Sequence, residues 1–129
     1  MATKIAVNRH NQPYLDELGA NQAAFEELVH EIHAQTPYLV LITSGYRTKE
    51  HQARLHARNP KNAKPGRSLH EHRRAIDLNL ISWRGLIRKG DSKARWKATQ
   101  VPEIAKELGF RWGGDFKNYY DPVHFDLKK

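Results

Sequence analysis

The chain of 129 residues contains no cysteine. That excludes a disulfide framework and any thiolate metal centre, so a metal bound here must be held by histidine and carboxylate side chains. No run approaches the roughly 20 consecutive apolar residues of a membrane span, and the first eight residues lack a hydrophobic stretch of signal-peptide length. These two lacks predict a protein made in the cytoplasm without an export signal and without insertion into a membrane. Internal repeats and low-complexity tracts are missing too. So is a compact Lys/Arg block or a recognisable nucleic-acid motif. The formal net charge of +8 nevertheless calls for an anionic partner, whether nucleic acid, anionic lipid or an acidic wall polymer. The length permits one domain with one core, spanning residues 1–129.

Between residues 22 and 35, Phe25, Leu28, Val29 and Ile32 form the stripe of an amphipathic helix that Pro37 stops. His30 and His33 flank this stripe one turn apart with no third ligand nearby, and read as helix decoration on a solvated face. Residues 38–43 are almost wholly apolar and rich in branched side chains, as a buried strand requires. Thr48 is a candidate N-cap for a helix over residues 49–58, with His51 and His56 exposed, and residues 59–67 read as a Pro/Gly loop. Residues 82–99 are read as a short helix, a loop and the approach to another helix. Val101, Ile104, Ala105 and Leu108 give that next helical stripe, with Pro102 in its first turn and Gly109 as its stop.

Two clusters carry the chemistry: Ser68-Leu69-His70-Glu71-His72-Arg73-Arg74-Ala75-Ile76-Asp77, and Asp121-Pro122-Val123-His124-Phe125. In the first, Ile76, Leu78 and Leu80 alternate with Asp77 and Asn79 at strand spacing, which sets Asp77 opposite the apolar face. In the second, Val123, Phe125 and Leu127 share one face of a presumed strand while His124 and Asp126 share the other. Side by side, the strands would bring Asp77 and His124 onto one face. His70, Asp77 and His124 would then supply two nitrogens and one oxygen to a single zinc ion with a fourth position open, leaving Asp121 for proton transfer. His72 lies two residues beyond His70 and remains an alternative ligand.

Ser-x-His, then Ala-Ile-Asp with its aspartate seven residues after the histidine, then Asp-Pro-x-His-Phe, resembles the zinc peptidases of the D-alanyl-D-alanine carboxypeptidase family. Within that family the phage endolysin branch is the nearest, and the match runs from about residue 43 to 126. The resemblance favours His70 over His72 as ligand. Ser44-Gly45-Tyr46-Arg47 resembles the family's Ser-Gly-Tyr-Arg motif, which implies that Arg47 steadies the oxyanion or a substrate carboxylate and that Tyr46 and Ser68 face substrate. Residues 112–115, Trp-Gly-Gly-Asp, resemble the endolysin branch, with Trp112 as core or groove wall. One departure is Arg73, where the family usually has glycine. If that position needs a positive φ, arginine is strained there by about 1 kcal/mol or more, or the turn differs.

Together these imply an α+β domain, helices on an antiparallel sheet with a zinc site in a surface groove. The implied activity is hydrolysis of a peptidoglycan stem-peptide bond, L-alanyl-D-glutamate in the endolysin branch or D-alanyl-D-alanine in the carboxypeptidases. The protein would act as a monomer, reaching the wall after release and needing neither nucleic acid nor membrane insertion. Readings of another class are a metal-binding module without catalysis and a basic nucleic-acid-binding domain.

Overall fold

The computed structural model describes residues 3–128. Helix α1, Lys4–Asp16, begins at Thr3, whose hydroxyl accepts from the Ala6 amide, and helix α2, Gln22–Gln35, buries the predicted stripe of Phe25, Leu28, Val29 and Ile32. Strand β1, Leu39–Ser44, leads to helix α3, Lys49–Arg58, capped as expected by Thr48. A 3-10 turn at Leu69–His72 precedes strand β2, Ala75–Ser82, which turns back into strand β3, Gly85–Ile87. Helices α4, Lys93–Ala98, and α5, Val101–Glu107, are followed by strand β4, Arg111–Trp112, a second 3-10 turn at Gly113–Asp115, and strand β5, His124–Asp126.

The sheet is antiparallel in every recorded pairing, in the order β1-β2-β5-β4, with β3 on the same edge of β2 as β5 but farther along. Val40, Ile42, Ile76, Leu78, Leu80 and Phe125 point to one face and are fully buried with residues from the helices, Phe25, Leu28, Ile32 and Trp96 among them. Each such side chain contributes about 1.5–3 kcal/mol by leaving water. The strand period then dictates the other face: if Ile76 and Phe125 look into the core, Asp77 and His124 must look away from it. They are register partners across the β2–β5 ladder.

One region carried no expectation from the sequence, and another differs from its expectation. Helix α1 shows no continuous apolar stripe because its inward face is Val7, Asn11 and Leu15, with a buried asparagine in the middle. Asn11 donates to the Val40 carbonyl at 2.9 Å and accepts from the Ile42 amide at 2.8 Å. With His10 on the Ile42 carbonyl and His33 accepting from the Val40 amide, side chains occupy the outer edge of β1 that would otherwise stand unpaired. His33 is therefore half-buried and engaged, not solvated decoration. Residues 82–99 hold no helix at their start. Strand β2 runs on to Ser82 and pairs back through a two-residue turn at Trp83 and Arg84, which lacks the Asn-Gly or Asp-Gly signature of such hairpins.

Candidate metal centre

The Ser44–Thr48 turn and the Leu69–His72 turn clasp each other. The Arg47 amide donates to the His70 carbonyl at 3.2 Å, and His70 Nδ1 lies 2.9 Å from the Gly45 carbonyl. A carbonyl only accepts, so Nδ1 carries the proton and Nε2 is left as a free lone pair. That Nε2 sits 3.3 Å from Asp77 Oδ1, and His124 Nδ1 sits 3.4 Å from the same oxygen. The three donor atoms fall within 4.8 Å of one another. His72, the alternative ligand, is exposed and points its Nε2 at the Gly66 carbonyl, outside this group.

Asp77 Oδ1 is buried and has no hydrogen-bond partner among the described residues. An orphaned carboxylate oxygen is costly unless something else meets it. Neighbouring donors of a tetrahedral zinc site, at bond lengths of about 2.0–2.1 Å, lie about 3.3 Å apart. The separations of 3.3 and 3.4 Å fit that spacing, so the triad suits a small divalent ion. Burial works to raise the Asp77 carboxyl, but the imidazoles of His124 and His70 outweigh it and hold the group ionised below the usual carboxylate range.

Partners the sequence reading left without a role surround the triad. His124 Nε2 is 2.7 Å from Asp126 Oδ2, and Asp126, fully buried, takes two bonds of 2.8 Å from Arg111. A carboxylate behind a ligating imidazole fixes its ring and tautomer. The signal was present, since residues two apart on a strand share a face. Gln52, also buried, accepts from Arg47 and donates to the Ala63 carbonyl, tying α3 and the 59–67 loop to the site. Gly113 is required sterically: a Cβ there would collide with the Asp121 carbonyl and come 2.9 Å from His124 Cβ. The Trp112 indole, in the core, donates to the Pro122 carbonyl at 2.7 Å and so anchors the Asp121–His124 turn from behind.

The triad opens into a cavity of about 480 Å³ that Arg47, Ser68, Lys89, Phe116 and Asp121 also line. Arg47 donates to Ser44 Oγ, Gln52 Oε1 and Asp77 Oδ2, the last at 3.1 Å. Burial first, then the Asp77 charge, push the Asp121 carboxyl up, against the pull of His124, Lys89 and His70. Ser68 caps its 3-10 turn by accepting from the His70 amide, with Glu71 completing the capping box. Tyr46 is not a lining side chain; it lies under the Arg73 guanidinium at 3.9 Å. Arg73 itself adopts the left-handed conformation, φ 60°. The turn keeps the glycine-like geometry and the arginine bends to it, held by a 2.6 Å bond to the Glu17 carbonyl, while its own carbonyl accepts from Asn21.

Fold and site define a small α+β domain in which His70, Asp77 and His124 converge, as a metal-holding set could, beside a spare carboxylate. The chain belongs to the peptidase family described as D-alanyl-D-alanine carboxypeptidase, whose sequence pattern matches residues 61–127. It is 35% identical over 100 residues, 68% of its length, to the peptidoglycan L-alanyl-D-glutamate endopeptidase CwlK of Bacillus subtilis (strain 168), and spans 60% of that protein. Its fold is similar to the Serratia marcescens L-Ala D-Glu endopeptidase ChiX, with TM-score 0.68 and 21% identity, over 92% of this chain and 86% of that one. A second likeness is to the LD-carboxypeptidase LdcB, TM-score 0.56 at 21% identity, over 85% and 64% of the two chains.

Proposed function

We propose that this chain is a zinc-dependent peptidoglycan peptidase that cuts the L-alanyl-D-glutamate bond of the stem peptide. The observation that carries the proposal is the orphaned Asp77 Oδ1 between two imidazole nitrogens at 3.3 and 3.4 Å, a donor set of the spacing that suits a small divalent cation. His70, Asp77 and His124 would hold one ion. The chemistry zinc supplies in such a site is polarisation of the scissile carbonyl and activation of water near neutral pH.

The rest falls to the chain's own groups. Asp121, with a raised carboxyl in the same cavity, accepts the proton of the attacking water and passes it to the leaving amine. Arg47 keeps N–H groups beyond the three it has committed, and these serve the developing oxyanion. Ser68 borders the cavity and presents the His70 turn, while Tyr46 supports that side through Arg73. The choice of bond follows the identity to CwlK. Action as a monomer and an endolysin-like release to the wall are parts of the same proposal.

Digestion of purified peptidoglycan with and without a chelator, followed by mass analysis of the fragments, tests the whole reading. Chelator-sensitive release of peptides with a new amino-terminal glutamate supports it. Release of free D-alanine would make the chain a carboxypeptidase instead. Zinc uptake with no cleavage would leave a metal-binding module, and tight salt-sensitive DNA binding that survives chelation would leave a nucleic-acid protein.

A further inference from the structure

Five cations line the cavity: Arg47, Lys61, Arg67, Lys89 and Arg111. Arg47 is tied to Asp77 and Arg111 to Asp126. Lys89 is different. Its ammonium bonds the Tyr119 hydroxyl at 2.7 Å and stands 3.9 Å from Asp121 Oδ1, beyond hydrogen-bonding distance, with 56% of its side chain exposed to the groove. It thus has donors to spare beside the carboxylate that serves the leaving amine.

The segment that delivers it is built rather than loose. Asp91 accepts from the Arg88 amide and from Arg95, the indole of fully buried Trp96 donates to the Arg88 carbonyl at 2.9 Å, and Tyr120 donates to the Asp91 carbonyl at 2.8 Å. Core and groove rim therefore grip the 88–91 turn from both sides. Tyr120 neighbours Asp121 in the chain, so the turn is registered to the proton-transfer group.

We propose that Lys89 is a specificity-determining residue that reads the free carboxylate of the amino acid on the leaving side of the scissile bond, with Tyr119 as the positioning residue that holds its ammonium. This rests on the peptidase reading above. A glutamate linked into a chain through one carboxyl keeps the other, so a substrate cut before glutamate brings an anion to the leaving side. Asp121 marks where the leaving amine must sit, and Lys89 is the cavity-lining cation that stands 3.9 Å from its carboxylate. A neutral residue there would leave the ammonium facing Asp121 alone.

The test compares kcat/KM of the zinc-loaded full chain on two peptides blocked as C-terminal amides, so that glutamate carries the only carboxylate. One contains L-alanyl-D-glutamate and the other the same peptide with that carboxylate converted to the amide. The wild type should favour the acid about tenfold or more, as expected for a charge-assisted hydrogen bond. Lys89→Met should collapse the ratio towards one, Lys89→Arg should restore most of it, and Tyr119→Phe should lower it chiefly through KM. A wild type that cuts both peptides equally, or a Lys89→Met variant that keeps the preference, would overturn the proposal while leaving the peptidase reading intact. A zinc-loaded wild type that cuts neither peptide removes both.

Discussion

His124 Nε2 and Asp126 Oδ2 lie 2.7 Å apart on the same face of one short strand. The pairing leaves Nδ1, on the other side of the ring, to face Asp77. Asp126→Asn keeps the volume and removes the anion. Metal affinity should fall about 10–100-fold, the usual effect of losing such an outer partner. Competition with a chromogenic chelator would measure it, and an unchanged affinity would show that Asp126 serves Arg111 rather than the site.

The metal and the proton transfer separate by substitution. His124→Ala removes a ligand and should abolish zinc retention, whereas Asp121→Ala should retain zinc and lose about 10²–10⁴-fold in hydrolysis. Metal analysis of both purified variants beside their peptidoglycan turnover decides this. Equal zinc content and equal activity in the two would contradict the roles given.

Metal uptake should also release a proton. Burial lowers the affinity of His124 for a proton, but the bonds to Asp126 and Asp77 and their charges more than offset it, and the metal-free group titrates at about 9 against an ordinary 6.5. Because the folded value is the higher one, the stability His124 contributes without metal is complete below pH 6.5 and is lost as pH rises through 9. A ligating imidazole must be neutral. Zinc binding near pH 7.5 should therefore expel a proton and tighten with pH up to about 9. Calorimetric titration in buffers of different ionisation enthalpy reads the number directly; an enthalpy independent of buffer would refute it.

How far the sequence carried this reading depended on periodicity. Alternation around Asp77 and His124 is short-range information, and because a strand's faces are fixed by parity, two such strands sufficed to place both ligands on one surface. Helix α2 and the Thr48 cap were legible for the same reason. What escaped depends on contacts distant in sequence. Asn11 breaks the stripe of α1 because its partner is a strand edge, and Lys89 sits in a segment whose shape comes from Trp96 and Tyr120. No local pattern encodes either.

The guarded edge of β1 should be acid-sensitive. Burial, then Lys4 and His30, lower the His33 value to about 4, so it stays neutral and accepts from the Val40 amide at 2.9 Å. The folded value is the lower one here, so the stability it gives is complete above pH 6.5 and is lost as pH falls through 4. His33→Ala should cost about 1–3 kcal/mol at neutral pH by orphaning that amide. Urea unfolding across pH should show the wild type's advantage shrinking below pH 6.5. An advantage constant down to pH 4 would mean the ring contributes packing alone.

Arg73 offers the sharpest test of competing magnitudes. Restoring glycine would relieve a left-handed backbone worth about 1–2 kcal/mol. It would also free the unfolded chain, at about 0.4–1 kcal/mol, and delete both the bond to the Glu17 carbonyl and the stacking on Tyr46, each about 0.5–1.5 kcal/mol. The losses exceed the gain by about 1 kcal/mol, so Arg73→Gly should melt a few degrees lower while still binding zinc. The side chain, in other words, more than offsets the conformation it is forced to hold. A variant that melts higher than the wild type would show instead that the strain dominates and that the contacts to Glu17 and Tyr46 are worth little.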